Sequence, residues 1–229
     1  MGSEEPIVAP PLSIETARQR IRVIFTRNAT LKYIGHLDMS RTWQRILRRA
    51  ELPLAYSEGF NPQPKITFAA ALPLGCTSEY EVLDFVLSPA RAVSEVAVRL
   101  KRALPPGMQV TSIEEVPLKS PALQTQVLAS EYTIRVEPGS SDQLADRVQA
   151  LLAATEVLRD RRGKAYNLRP LVLALTVERG EAERVIVRAR LQSTEAGNGR
   201  PDELAAALGL DPAEVAIHRT RLDFLDKTN

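Results

Sequence analysis

The chain has 229 residues, enough for one large domain or for two of about 100 residues each with cores of their own. A hydrophobic content of 44% and a charged content of 25% exclude long disordered tracts, and 30 basic against 28 acidic residues leave a net charge of +2 that by itself implies no partner. A single cysteine, Cys76, excludes an intrachain disulfide and an iron–sulfur cluster held by this chain alone, and points to a reducing cytoplasm.

No run approaches the ~18 apolar residues of a membrane span. Residues 1–17 are acidic and Pro-containing, which predicts a loose N-terminal arm and no signal peptide. Arg20 to Thr26 then alternates charged and apolar residues, placing Ile21, Val23 and Phe25 on one face of a first strand. A helix is expected from the Gly35-His36-Leu37-Asp38 start to about Glu51. Its apolar face holds Met39, Trp43, Ile46, Leu47 and Ala50, with Arg41, Arg45 and Arg48 opposite and Pro53 as its stop. Between Arg18 and Arg49 nine basic residues face one acid, Asp38, a footprint able to attract phosphates.

Leu54 to Ser57 reads as a short extended piece. The loop Glu58-Gly59-Phe60-Asn61-Pro62-Gln63-Pro64 follows, and its two prolines hold it in one shape, which suits recognition. Strands are expected at Lys65–Ala69 and Glu81–Leu87, a helix over Val93–Leu104 and a strand over Met108–Val116. Lys119–Leu128 is polar and contains proline, the pattern of a linker. The same order then repeats: a strand at Glu131–Val136, a helix over Asp142–Thr155, strands at Arg169–Glu178 and Arg184–Gln192, a short helix at Pro201–Leu208 and a strand at Val215–Phe224. The repeat predicts an α+β protein of two tandem ferredoxin-like domains, residues 18–118 and 129–229, each an antiparallel sheet with helices on one face. Inserted in the second, Arg159 to Arg169 carries five basic residues and one acid, a basic hairpin or arm.

Arginines are common on solvated helix faces, but here almost no acids pair with them, so an anionic ligand would relieve their repulsion. RNA and an acidic protein surface would both do so. His36 can serve as an acid–base group or as a capping residue; His218, alternating with apolar neighbours, reads as structural. Cys76 reads as turn filler and Asp84 as a partner for an arginine. No phosphate-binding loop and no hydrolase or metalloprotease motif is present, and two histidines so placed make no metal site.

The stretch from Thr26 resembles a bacterial radical-SAM-linked domain family of unknown function, through His36-Leu37-Asp38, Arg48-Arg49-Ala50 and Gly59-Phe60-Asn61-Pro62. Tyr166-Asn167-Leu168-Arg169-Pro170 resembles its second motif, so the likeness covers most of the chain from about residue 20. The family pattern has histidine where this chain has Gln63, which counts against a two-histidine active site. The resemblance implies a separately encoded radical-SAM protein as partner, with no cofactor on this chain.

The expected function is therefore a non-catalytic RNA-binding or substrate-presenting accessory protein. Arg41, Arg45, Arg48, Arg49 and Lys65 would contact phosphates or a partner, Phe60 and Asn61 would meet a base, and Arg161, Arg162, Lys164 and Arg169 would clamp from the second half. The alternatives are a metal-independent endoribonuclease using His36 with Tyr33 or Lys65, and a protein-only adaptor.

Overall fold

The computed structural model describes residues 17–137, 143–161, 163–180 and 184–225. Residues 1–16 of the arm expected over 1–17, Asp142 and Arg162 lie outside them.

The first half runs β1 (Gln19–Arg27), α1 (His36–Arg49), β2 (Ile66–Phe68), β3 (Thr77–Leu87), α2 (Val93–Ala103) and β4 (Met108–Val116). The second runs β5 (Val127–Val136), α3 (Leu144–Ala153), the hairpin β6 (Leu158–Arg161) and β7 (Lys164–Asn167), β8 (Val172–Arg179), β9 (Val185–Thr194), β10 (Gly197–Asn198), α4 (Pro201–Ala207) and β11 (Ala216–Phe224). The fold is α+β. The first helix begins at His36 as its sequence predicts, and its buried face is the expected set, with Met39, Trp43, Ile46 and Leu47 each at most 2% exposed.

Strand order is the same in both halves: β2-β3-β1-β4 in the first and β8-β9-β5-β11 in the second. They do not form two separate sheets. β11 pairs with β3 in parallel through His218↔Thr77 and Arg219↔Ser78, which closes one nine-stranded sheet whose other pairings are antiparallel. The junction is built from charge. Arg219 is fully buried, donates through Nε to Glu81 Oε1 at 3.0 Å, and reaches the carbonyls of Ala70 and Ala71. Ile217 and Arg219 share one face of β11, while Glu81, Leu83 and Phe85 share one face of β3. Hence the α1–α2 core (Ile21, Val23, Phe25, Trp43, Leu83, Phe85) and the α3–α4 core (Tyr132, Ile134, Val148, Leu204, Ile217) lie on the same side of the sheet.

The opposite side carries a small cluster of Val82, Leu123, Val127 and Leu222. It includes part of the segment Lys119–Leu128, where a linker is expected. Leu123 is fully buried in a 3-10 turn, Leu123–Gln126, and the carbonyls of Ser120 and Pro121 accept from Arg20 at 2.8 and 3.1 Å. One apolar anchor and two backbone acceptors turn a polar segment into a strap. The strand expected from Arg169 begins instead at Val172, because Arg169–Leu171 forms a 3-10 turn opened by Pro170.

Candidate functional site

Three of the nine cations counted between Arg18 and Arg49 are structural. Asp84, 3% exposed, accepts from Arg20 Nε at 2.9 Å and from Arg22 Nε at 2.8 Å, the partnership expected of it. Arg27, 2% exposed, donates to the carbonyls of Leu31 and Ile34 at 3.0 and 2.8 Å, and burial pulls its pKa below the usual guanidinium range. The charge density visible in the sequence is therefore partly consumed inside the fold.

Of the other six, α1 carries four, Arg41, Arg45, Arg48 and Arg49. The periodicity of its buried residues sends Arg41, Arg45 and Arg48 outward. Arg41 lies 3.1 Å from Asp38 in a solvated pair, which holds it weakly. Arg45 and Arg48 have no carboxylate or carbonyl partner among the described residues. Arg49 is different: its Nη1 donates to Ala103 O at 3.3 Å, at the C-terminal end of α2. In return Arg99 of α2 reaches Ala50 O and Glu51 O at 3.4 and 3.5 Å, past the end of α1. Each helix thus places an arginine against the negative C-terminus of the other, and Arg49, exposed like its neighbours, differs from Arg45 and Arg48 in having this backbone partner. Arg102, exposed on α2 beside Arg49 and Arg99, adds a cation that attention to the first helix alone misses.

The loop after α1 is a hairpin. Ser57 N donates to Gln63 O at 2.8 Å, Gln63 N to Ser57 Oγ at 2.9 Å and Lys65 N to Ala55 O at 2.9 Å, while Ala55 N donates to Val86 O at 2.8 Å. Its ends are thereby tied to β3. Gly59 turns at φ +125°, a conformation open to glycine, and Phe60 beside it is fully exposed. Asn61 Oδ1 accepts from Gln63 Nε2 at 3.4 Å. Gln63 therefore ties the loop through both its backbone and its side chain.

The residues named for an endoribonuclease, His36, Tyr33 and Lys65, make separate contacts. The His36 ring meets Phe68 edge to face at 5.3 Å, and no hydrogen bond joins it to Tyr33 or Lys65 among the described residues. Tyr33 is 74% exposed with Lys32 Nζ 4.9 Å above its ring. Ile66 and Phe68 pack toward α1, and Lys65 precedes their strand, its backbone N–H on Ala55 O at 2.9 Å. Cys76 is 1% exposed and burial pushes its thiol up to about 12, which leaves it inert near neutral pH.

In the second half the basic insert is the β6–β7 hairpin. Arg159 anchors it to Glu203 of α4 at 3.2 Å, and Arg161 and Lys164 are exposed at its tip. Arg169 is not part of the exposed set, because its guanidinium donates to Leu152 O and Val172 O at 3.1 to 3.3 Å and closes the C-terminal end of α3.

Residues 20–201 match a family described as an uncharacterized protein conserved in bacteria, DUF2344. The chain belongs to this family. No curated protein matches the DUF2344 chain. Among solved structures it is similar to a chain of a Cbf5–Nop10–Gar1 complex, at 12% identity and a TM-score of 0.45, covering 93% of this chain and 51% of that one. It is also similar to a chain of an archaeal box H/ACA Nop10–Cbf5 complex, at 14% identity and a TM-score of 0.40, covering 95% and 52%. A third likeness, at 13% identity and a TM-score of 0.43, is to a chain of an H/ACA RNP bound to a substrate RNA containing 2'-deoxyuridine, covering 91% and 49%. The chain spans about half the length of these chains, and similarity at this level transfers no function from them. Among the described residues no helix is long and apolar enough to cross a membrane.

Proposed function

We propose that this chain is a non-catalytic, RNA-binding or substrate-presenting accessory protein. The observation that carries the reading is the pair Arg45 and Arg48, exposed on a rigid helix with no partner among the described residues. It stands with a fully exposed aromatic, Phe60, on the hairpin that follows the same helix. Unspent guanidiniums suit phosphates, and an exposed ring on a pre-shaped loop suits an unpaired base. Arg41 and Arg102 extend the cationic surface, with Arg161 and Lys164 on the second half as further contacts. The order of strands in each half supports reading them as two ferredoxin-like units fused through β3 and β11. The radical-SAM partner rests on the sequence resemblance alone, and under this reading the reaction takes place on that partner.

The experiment is a pull-down of the tagged chain from its native host, with and without nuclease, followed by end analysis of recovered RNA. Recovery of RNA, with any radical-SAM protein lost on nuclease treatment, supports the proposal. A partner retained after nuclease with no RNA recovered favours the protein-only adaptor. Cleavage that His36→Ala abolishes would make the protein an enzyme.

A further inference from the structure

The side of the sheet opposite α1, α2, α3 and α4 has a feature of its own. A cleft of about 570 Å³ opens there, lined by Arg22 and Ile24 of β1, Tyr80 and Val82 of β3, Glu114 of β4, Arg190 of β9 and Arg221 to Phe224 of β11. It spans both halves of the chain. Its floor is the small apolar cluster of Val82 and Leu222, on which Ile24, Tyr80 and Phe224 pack.

Three guanidiniums line it, and two of them, Arg22 and Arg190, are fixed from behind. Arg22 is held by Nε and Nη2 on Asp84 at 2.8 and 3.0 Å, with its Cζ 5.9 Å from the centre of the Phe224 ring. Arg190 is held by Nε on Asp223 at 2.7 Å, and Arg221 stands 3.4 Å from the same carboxylate through its own Nε. An arginine anchored through Nε keeps terminal N–H donors for a ligand and loses little rotamer freedom on binding. Carboxylates do line the cleft: Asp223 holds Arg190 and lies near Arg221, and Glu114 stands near Arg22. Planar surfaces come from Tyr80, Phe224 and the Arg22 guanidinium. Fixed forks for an anion beside planar groups for stacking, in a space of this size, match one ligand chemistry.

We infer that this cleft binds a nucleotide, with its base against Tyr80 and Phe224 and its phosphate on Arg190 and Arg221. The nucleotide can come as a free monophosphate or as an unpaired residue of an RNA strand. The site is separate from the α1 surface and stands whether or not that surface binds RNA.

The test is calorimetric titration of the full chain at low salt with three probes: adenosine monophosphate, a single-stranded RNA pentamer and inorganic phosphate. Saturable binding of a nucleotide probe is expected, weakened about tenfold or more by Arg221→Gln and by Arg190→Gln. Monophosphate binding identifies the free nucleotide as a ligand, and pentamer binding without it identifies the strand. Arg221 is well exposed, so its variant folds, and an unchanged melting temperature verifies this. The inference is overturned if neither nucleotide probe binds, if phosphate binds as tightly as the monophosphate, or if both arginine variants bind like the parent. Loss of monophosphate binding in an Arg45→Ala, Arg48→Ala variant, with none in the Arg190 and Arg221 variants, would place that ligand on α1 and remove it from this cleft.

Discussion

Burial acts on His218 in a direction that predicts how the fold responds to acid. Its Nδ1 lies 2.7 Å from Thr77 Oγ1 and its Nε2 3.8 Å from Glu79. Burial lowers its pKa below the usual histidine value, with Glu79 opposing the shift only in part. A histidine that protonates less readily folded than unfolded takes up protons on unfolding. Its contribution is therefore whole above the unfolded pKa of about 6.5 and is lost as pH falls below it. Urea midpoints compared between pH 7 and pH 5 should fall more steeply for the parent than for His218→Gln. Parallel curves would contradict the assignment. This is the behaviour of a structural histidine, as its alternation with Ile217 and Val215 suggests in the sequence alone.

At the scale of elements, the arginines of α1 separate into two kinds that the sequence writes alike. Arg48→Ala should leave stability within about 0.5 kcal/mol of the parent and weaken RNA binding. Arg49→Ala, which removes the contact with Ala103 O, should lower stability by about 0.3–1 kcal/mol and change binding less. Urea unfolding and filter binding on both variants check the pair, and identical behaviour would contradict it. The helix itself was legible because 3.6-residue periodicity fixes which side is buried whatever it packs against. The partners of Arg49 and Arg20 were not, since they lie on the α2 C-terminus and the 119–126 strap, far along the chain. Asp84 was legible as an arginine partner because a lone acid between Leu83 and Phe85 needs a counter-charge. Counting cations in one window overstated the free charge, because the strand pattern of Arg20 and Arg22 says which face they share but not that Asp84 waits on it.

For the whole molecule, the joining of β3 to β11 is the feature that local patterns cannot supply, because a parallel edge pairing of two residues leaves no periodic mark. It predicts one cooperative transition. Trp43, the only tryptophan, reports the first core, whereas far-UV circular dichroism reports both halves, and the two urea curves should coincide. Glu81→Gln leaves Arg219 buried without its counter-charge and should cost about 3–5 kcal/mol. Separated transitions in the parent, or an unaffected midpoint in Glu81→Gln, would contradict a seam built on that pair. The same sheet fixes α1 and its hairpin in place, which makes their surface a pre-formed one. Its role is tested most directly by binding of a structured RNA as a function of salt. Affinity should fall with salt, and Arg45→Ala with Arg48→Ala should reduce the slope of log K against log salt by about 2. An unchanged slope, or no affinity at low salt, would contradict the account.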